Sequence, residues 1–267
     1  MCRLLGVVSR TAASLSNLLA EDITPFLALA CEHGDGWGIA SLTADGAVAS
    51  AKEPAAADRS ERFLPTLCGT RTDAALLHLR MASPGLPVRA ENTHPFGDAV
   101  TGFAHNGDFT PVTCLDEVIG EETLARAGGR TDSERFYLAT RRRIDAGMAP
   151  PRALLTTAAD IRARATSSAS LNCLLLTPRA LYAYSAHDPH SDVVRRRGED
   201  FFALKYRRSA DRVVIASTGW PQESPRWTTV PDGRVLEIRR HDLSTVLHAD
   251  RTLQPAAPVA PAPPSAC

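Results

Sequence analysis

The 267-residue chain contains no run approaching the roughly 20 uninterrupted apolar residues of a membrane span, and its N-terminus lacks the charged-then-apolar pattern of a secretory signal. A cytoplasmic protein with no membrane partner is therefore expected. Net charge is absent too, since 30 Lys and Arg face 30 Asp and Glu, which removes the electrostatic footprint of a nucleic-acid partner. Two arginine runs, Arg141-Arg142-Arg143 and Arg195-Arg196-Arg197, are short, flanked by acids, and read as solvated faces. Six cysteines include no C-x-x-C pair, so neither a zinc knuckle nor a disulfide framework is indicated. No repeat is visible, and the 44% apolar fraction is that of an ordinary globular protein.

The apolar run Leu4 to Val8 opens the chain as a buried strand, and Ile23, Phe26, Leu27, Leu29 and Ala30 follow at helical spacing up to the glycines 34, 36 and 38. Ile39–Leu42 and Ala47–Ala51 read as a hairpin across Asp45-Gly46. A second strand pair, Leu76–Arg80 and Ala99–His105, is separated by the long loop Ser83–Gly97. Helices are expected over Leu115–Ala127, Ser133–Ala146 and Pro151–Ala165. Strands return at Asn172–Thr177, Ala180–Ser185, Phe202–Tyr206, Val213–Ser217 and Arg234–Ile238. Strands, helices, then strands argue for a layered α+β domain and against a βαβ parallel sheet. Pro255–Cys267 is almost wholly Pro and Ala, the composition of a disordered, extended tail.

Cys2 becomes the first residue if the initiator methionine is removed. A terminal cysteine carries its own base, because an α-amine with an ordinary pKa of about 7.7 to 8.0 can take the thiol proton near neutral pH. Position 2 by itself reads more simply as an accident of sequence. Asn106 and Gly107 offer an amide and a backbone N–H as a potential oxyanion hole, while Asn-Gly is also a common hairpin turn. Arg80 stands at the end of an expected strand, where its planar fork could grip a carboxylate, or be an ordinary surface arginine. Thr131-Asp132-Ser133-Glu134 fits a helix capping box, and Asp132 is also a carboxylate available to an ammonium group. Together Arg80 and Asp132 could hold both charges of an α-amino acid. His33, His94 and His105 match no usual ligand spacing, so no metal is expected.

Six segments in order carry a family resemblance: Met1-Cys2-Arg3-Leu4-Leu5-Gly6, His33-Gly34-Asp35-Gly36-Trp37-Gly38, His78-Leu79-Arg80, Asn92-Thr93-His94-Pro95-Phe96, His105-Asn106-Gly107 and Thr131-Asp132-Ser133-Glu134. The set resembles the class II, N-terminal-nucleophile glutamine amidotransferases, by motif from Cys2 to about Asp132 and more loosely to about Ile238. The resemblance implies a four-layer αββα sandwich of the N-terminal nucleophile hydrolase type over a catalytic domain spanning residues 2–250. It also implies Cys2 as nucleophile, Asn106 and Gly107 as oxyanion hole, Arg80 on the substrate α-carboxylate, Asp132 on its α-amino group, and Ser83 and His94 at further pocket positions.

The Met-Cys-Arg-x-x-Gly opening is similar to the stand-alone branch, which includes proteins resembling γ-glutamyl hydrolases of ergothioneine synthesis and glutathione breakdown. The implied activity is hydrolysis of a γ-glutamyl amide, glutamine or a conjugate, through a thioester on Cys2, with no cofactor. The alternative is a glutaminase subunit passing ammonia to a separate synthase partner. An acylase for apolar amides would not place Arg80 and Asp132 in its pocket. A silent binding protein recruiting a partner through the Pro-Ala tail lacks the basic and aromatic flanks expected of such a ligand. One departure leaves the substrate beyond its γ-glutamyl part open: Ala216-Ser217-Thr218-Gly219-Trp220 has no acid where stand-alone relatives often carry one after Ala-Ser.

Overall fold

The apolar run at residues 4–8 lies in the part of its strand that is buried on both faces. In a strand successive side chains alternate sides. Leu4 and Val8 enter one apolar core while Leu5 and Val7 enter another. Gly6 sits between them, where a Cβ would stand 2.7 Å from the Leu181 side chain. Burial on both faces is why the strand reads as a continuous hydrophobic run and not as an alternation.

The structure, a computed structural model, describes residues 1–83, 85–223 and 225–249; segment 255–267, expected to be a disordered tail, lies outside the described residues. In chain order the strands are β1 (Arg3–Ser14), β2 (Trp37–Leu42), β3 (Val48–Glu53), β4 (Arg71–Leu79), β5 (Phe96–Gly97), β6 (Gly102–Thr110), β7 (Ser167–Leu176), β8 (Ala180–Ser185), β9 (Leu204–Arg208), β10 (Arg212–Ser217), β11 (Thr228–Thr229), β12 (Arg234–Arg239) and β13 (Thr245–Ala249). They form two antiparallel sheets, one ordered β11-β9-β10-β1-β4-β2-β3 and the other β13-β12-β8-β7-β6-β5. The helices are α1 (Leu15–Leu18), α2 (Ile23–Ala28), α3 (Phe63–Gly69), α4 (Asp116–Ile119), α5 (Glu121–Ala125), α6 (Asp132–Asp145), α7 (Pro150–Arg164) and α8 (Asp192–Arg197).

Three cores define four layers. Leu4, Leu76, Leu174, Leu181 and Ile215 fill the space between the sheets. Leu15, Phe26, Phe63 and Leu67 of the first three helices cover the outer face of the first sheet with Trp37 and Leu77. Phe136, Leu154, Ala158 and Ile161 of α6 and α7 cover the second with Phe103, Leu175 and Tyr184. This is the expected αββα sandwich, an α+β fold.

Several expectations need correction. The strands near 76–80 and 99–105 are not a pair: β4 lies in the first sheet and β6 in the second, so the loop between them crosses from one layer to the other. The helix expected over 115–127 breaks at Gly120, which adopts φ 82 and splits it into α4 and α5. The arginine runs are not simply solvated. Arg143 reaches into the α6–α7 contact to Thr157 and Asp160, and Arg197 lies over the Phe201 ring.

Candidate functional site

Pairing of Arg3 with Leu79 places Cys2, just before β1, opposite the chain leaving β4. Met81 brackets the thiol: its N–H donates to Cys2 Sγ at 3.5 Å, and Sγ lies 3.6 Å from its carbonyl oxygen. Residues 33–38 clamp that segment in place. The Asp35 carboxylate accepts from the Ala82 N–H at 2.8 Å, the Asp35 N–H donates to the Arg80 carbonyl, and the Arg80 N–H donates to the Gly36 carbonyl. Gly36 has φ 151, and a Cβ there would stand 2.9 Å from Thr93, so glycine is what the close approach permits. The Met1 α-amine lies 2.7 Å from Met81 Sδ. Burial pushes that ammonium below its ordinary pKa and pushes the Cys2 thiol above its own, the latter opposed by the adjacent ammonium.

Arg80 and Asp132 act on the same thiol with opposite signs, the guanidinium lowering its pKa and the carboxylate raising it. Arg80 is 3% exposed, yet its guanidinium makes only two long contacts, 3.4 Å each, to the carbonyls of Asp35 and Pro87. Among the described residues it has no carboxylate partner within salt-bridge distance. A buried cation so weakly satisfied is costly unless a ligand completes it. The capping role at α6 belongs to Thr131, whose Oγ1 accepts from Glu134 N–H at 3.0 Å. Glu134 does not close the box; its carboxylate takes the Gly128 and Gly129 N–H groups instead. Asp132 is thus the first helical residue and not the cap. It accepts from the Phe109 N–H at 3.1 Å, and burial pushes its carboxyl up to about 6.

Asn106 and Gly107 form no turn; both lie within β6, opposite Asn172 and Leu171. Asn106 is fully buried with neither amide atom partnered, a cost of about 1 to 3 kcal/mol for each group left unsatisfied. Leu171 turns its N–H to Ala186 on the β8 side. The Gly107 N–H facing it is therefore directed away from β7, toward the open edge of β6, where Asp132 takes the Phe109 N–H two residues on. A Cβ on Gly107 would stand 1.7 Å from the Ser170 oxygen, so only glycine fits.

His94 is buried against His78, ring centroids 4.0 Å apart, and His78 contacts the His105 carbonyl. This stack lies in the wall beneath β6, and burial keeps both rings well below the ordinary imidazole pKa. Ser83 is exposed on the loop after Met81 and is not brought into the buried cluster. Sequence reasoning missed the clamp by Asp35, the bracketing by Met81, and Asn172, which links Phe202 and Ala186 behind Asn106. A polar Asn inside the apolar strand Leu171–Leu176 was the available signal for the last.

The raised Asp132 carboxyl fixes a pH dependence. Between the ordinary carboxylate pKa and about 6 the folded state binds a proton that the unfolded state has released, so this group's contribution to stability is lost as pH rises through that window. Asp132→Asn is expected to match wild type near pH 4 and to be more stable by about 3 kcal/mol at pH 7. Buried His33 and His105, both depressed to about 4, act in the opposite direction in both proteins and cancel in the difference. Denaturant unfolding of both proteins across pH 4 to 7 checks this; a difference that stays flat counts against a buried, ligand-free carboxylate.

The architecture is a four-layer αββα sandwich of the N-terminal-nucleophile hydrolase type, with a buried thiol next to its amino terminus. Residues 1–261 match the family of class-II glutamine amidotransferases, and the chain belongs to that family. Family membership implies amidohydrolase chemistry. Among solved structures, a glutamine aminotransferase class-II domain protein from Silicibacter pomeroyi is similar with TM-score 0.67 and 20% identity, covering 93% of this chain and 100% of that one. The glutamine phosphoribosylpyrophosphate amidotransferase of B. subtilis, complexed with ADP and GMP, is similar with TM-score 0.60 and 17% identity, over 92% of this chain and 49% of that one. A predicted glutamine amidotransferase from Pseudomonas aeruginosa gives TM-score 0.53 and 18% identity, over 91% and 99%. These likenesses establish the fold. No curated protein matches the sequence. Among the described residues no helix is long and apolar enough to cross a membrane.

Proposed function

We propose that this protein hydrolyses the γ-amide bond of glutamine or of a γ-glutamyl conjugate through a thioester on Cys2, with residues 2–250 as the catalytic unit and Met1 removed. The observation that carries the reading is the pair Arg80 and Asp132, buried, opposite in charge, not bonded to each other, and both near the buried Cys2 thiol. That is what the α-carboxylate and α-ammonium of a glutamyl group need, and an apolar acyl group does not.

In the proposed reaction the free α-amine of Cys2 takes the thiol proton as sulfur attacks the γ-carbonyl carbon. Negative charge on the tetrahedral oxygen is met by Asn106 Nδ2 and the Gly107 N–H, each such donor typically worth about 3 kcal/mol or more. Collapse breaks the C–N bond, and the α-ammonium returns its proton to the departing nitrogen. Water, deprotonated by the same amine, then releases glutamate and the free thiol. The Cys2 nitrogen becomes an amine only once Met1 is removed, and an α-amine of ordinary pKa about 7.7 to 8.0 can take the thiol proton near neutral pH.

A second reading, a glutaminase that hands ammonia to a separate synthase, is favoured by family membership itself and uses the same residues. Turnover of the purified protein on glutamine and on a series of γ-glutamyl amides, with no partner added, separates the two. Faster hydrolysis of the larger amides is the expected result; activity confined to glutamine would assign the glutaminase role.

A further inference from the structure

A cleft of about 360 Å³ lies between the amino terminus and α8, lined by Met1, Met81, Val193 and Phe201, with Arg196 and Arg197 also on its wall. It adjoins the thiol, since Met1 is covalently next to Cys2 and Met81 brackets its sulfur. Yet none of Arg80, Asp132, Asn106 or Gly107 lines it, so the groups proposed to hold the glutamyl moiety leave it free. Loss of Met1 would enlarge it toward Cys2.

The cleft carries excess positive charge. Arg197 forks onto Glu32 at 2.8 and 3.3 Å and lies 5.0 Å from the Phe201 ring centroid. A second guanidinium, Arg3, is buried 4.4 Å from the same ring, with its Nε unpartnered. At position 219, where φ is 137, a Cβ would stand 3.4 Å from that Nε, but the residue is Gly219 and supplies no acid. Glu32 is the one carboxylate lining the cleft among the described residues, against Arg196 and Arg197. An exposed ion pair such as Arg197–Glu32 adds little stability; what it does is hold a guanidinium over an aromatic floor with N–H donors to spare.

We infer that this cleft receives the departing amine and that Arg197 is a specificity-determining residue that reads a carboxylate on it. Ammonia would need neither apolar walls nor a cation, whereas an amino acid or short peptide joined through its nitrogen to the γ-carbonyl offers an apolar side chain and an anion. The inference rests on the reading of Cys2 as nucleophile, and the chemistry at sulfur is unchanged by it.

The test uses γ-glutamyl-leucine and γ-glutamyl-leucinamide, which differ only in that carboxylate. Calorimetry on the Cys2→Ala protein, with Cys2→Ser as a second background, should show about ten- to hundredfold tighter binding of the free acid. Adding Arg197→Gln should reduce the preference to about twofold, and Arg197→Lys should restore part of it. In the otherwise wild-type enzyme Arg197→Gln should leave glutamine hydrolysis within about twofold. Equal binding of the two ligands with Arg197 present, or an undiminished preference in Arg197→Gln, overturns the inference. Absence of any turnover by wild type would instead overturn the hydrolase reading, and the binding preference would still decide the role of Arg197.

Discussion

Cys2→Ala is expected to abolish hydrolysis of glutamine and of every γ-glutamyl amide, by at least about 10⁴-fold in kcat, while stability changes by no more than about 1 kcal/mol. The thiol is small, buried at the start of β1, and bonded only through weak sulfur contacts to Met81. Removing it costs few packing contacts, so loss of activity with an unchanged thermal midpoint would identify a chemical role. A variant that retained a tenth of wild-type activity would place the nucleophile elsewhere.

Arg80→Ala is expected to lower kcat/KM by roughly 10³-fold, the second-largest effect. The guanidinium has no carboxylate partner within salt-bridge distance among the described residues, and binding of an α-carboxylate would convert two long carbonyl contacts into a charge-assisted fork. Part of the loss belongs to kcat, because a loosely held glutamyl group misses the donors at Asn106 and Gly107. Asp132→Asn should discriminate between substrates, with a large loss for γ-glutamyl amides and a small one for analogues lacking the α-amine. Thr131→Ala separates this from helix capping: it should cost about 1 kcal/mol of stability and leave the substrate ratio unchanged. Steady-state kinetics on the paired substrates, with melting curves for all three variants, would check the set. Equal activity losses on both substrates in Asp132→Asn would remove the binding role.

Much of this was legible because it is local. The unbroken apolar run of β1, the Asp45-Gly46 hairpin and the Thr131 cap each follow from a few adjacent residues, and β8 spans Ala180–Ser185 as its pattern indicates. What failed depends on partners far along the chain. Asn106-Gly107 has turn chemistry, but pairing with Asn172 and Leu171, more than sixty residues later, holds it in mid-strand. A Gly at 107 is there because the Ser170 carbonyl occupies the space of a side chain, which no local rule reveals. The strands near 76 and 104 look like neighbours in sequence, and only the two-sheet architecture separates them.

The site shows the same division. Cys2, Arg80, Asp132 and Asn106 stand out by chemistry and family resemblance, and Arg80 and Asp132 lie near enough to the Cys2 thiol to influence its charge. Asp35 and Met81 were not chosen, because their part is to position others through backbone contacts. Ser83 remained on an exposed loop, and His94 stacks on His78 in the buried wall. Arg3, within the opening motif, shares the Phe201 ring with Arg197, a long-range contact that no local pattern reveals.

The central claim, an N-terminal cysteine nucleophile, is tested most directly by mass spectrometry of the protein treated with a glutamine analogue carrying an electrophilic ketone at the γ-position. Cys31 and Cys68 are exposed whereas Cys2 is buried, so indiscriminate alkylation would mark the former pair first. The account predicts an intact mass lacking Met1 with a single adduct, and a labelled peptide that begins at Cys2. Full activity in protein that retains Met1, or first labelling at Cys31 or Cys68, would contradict it.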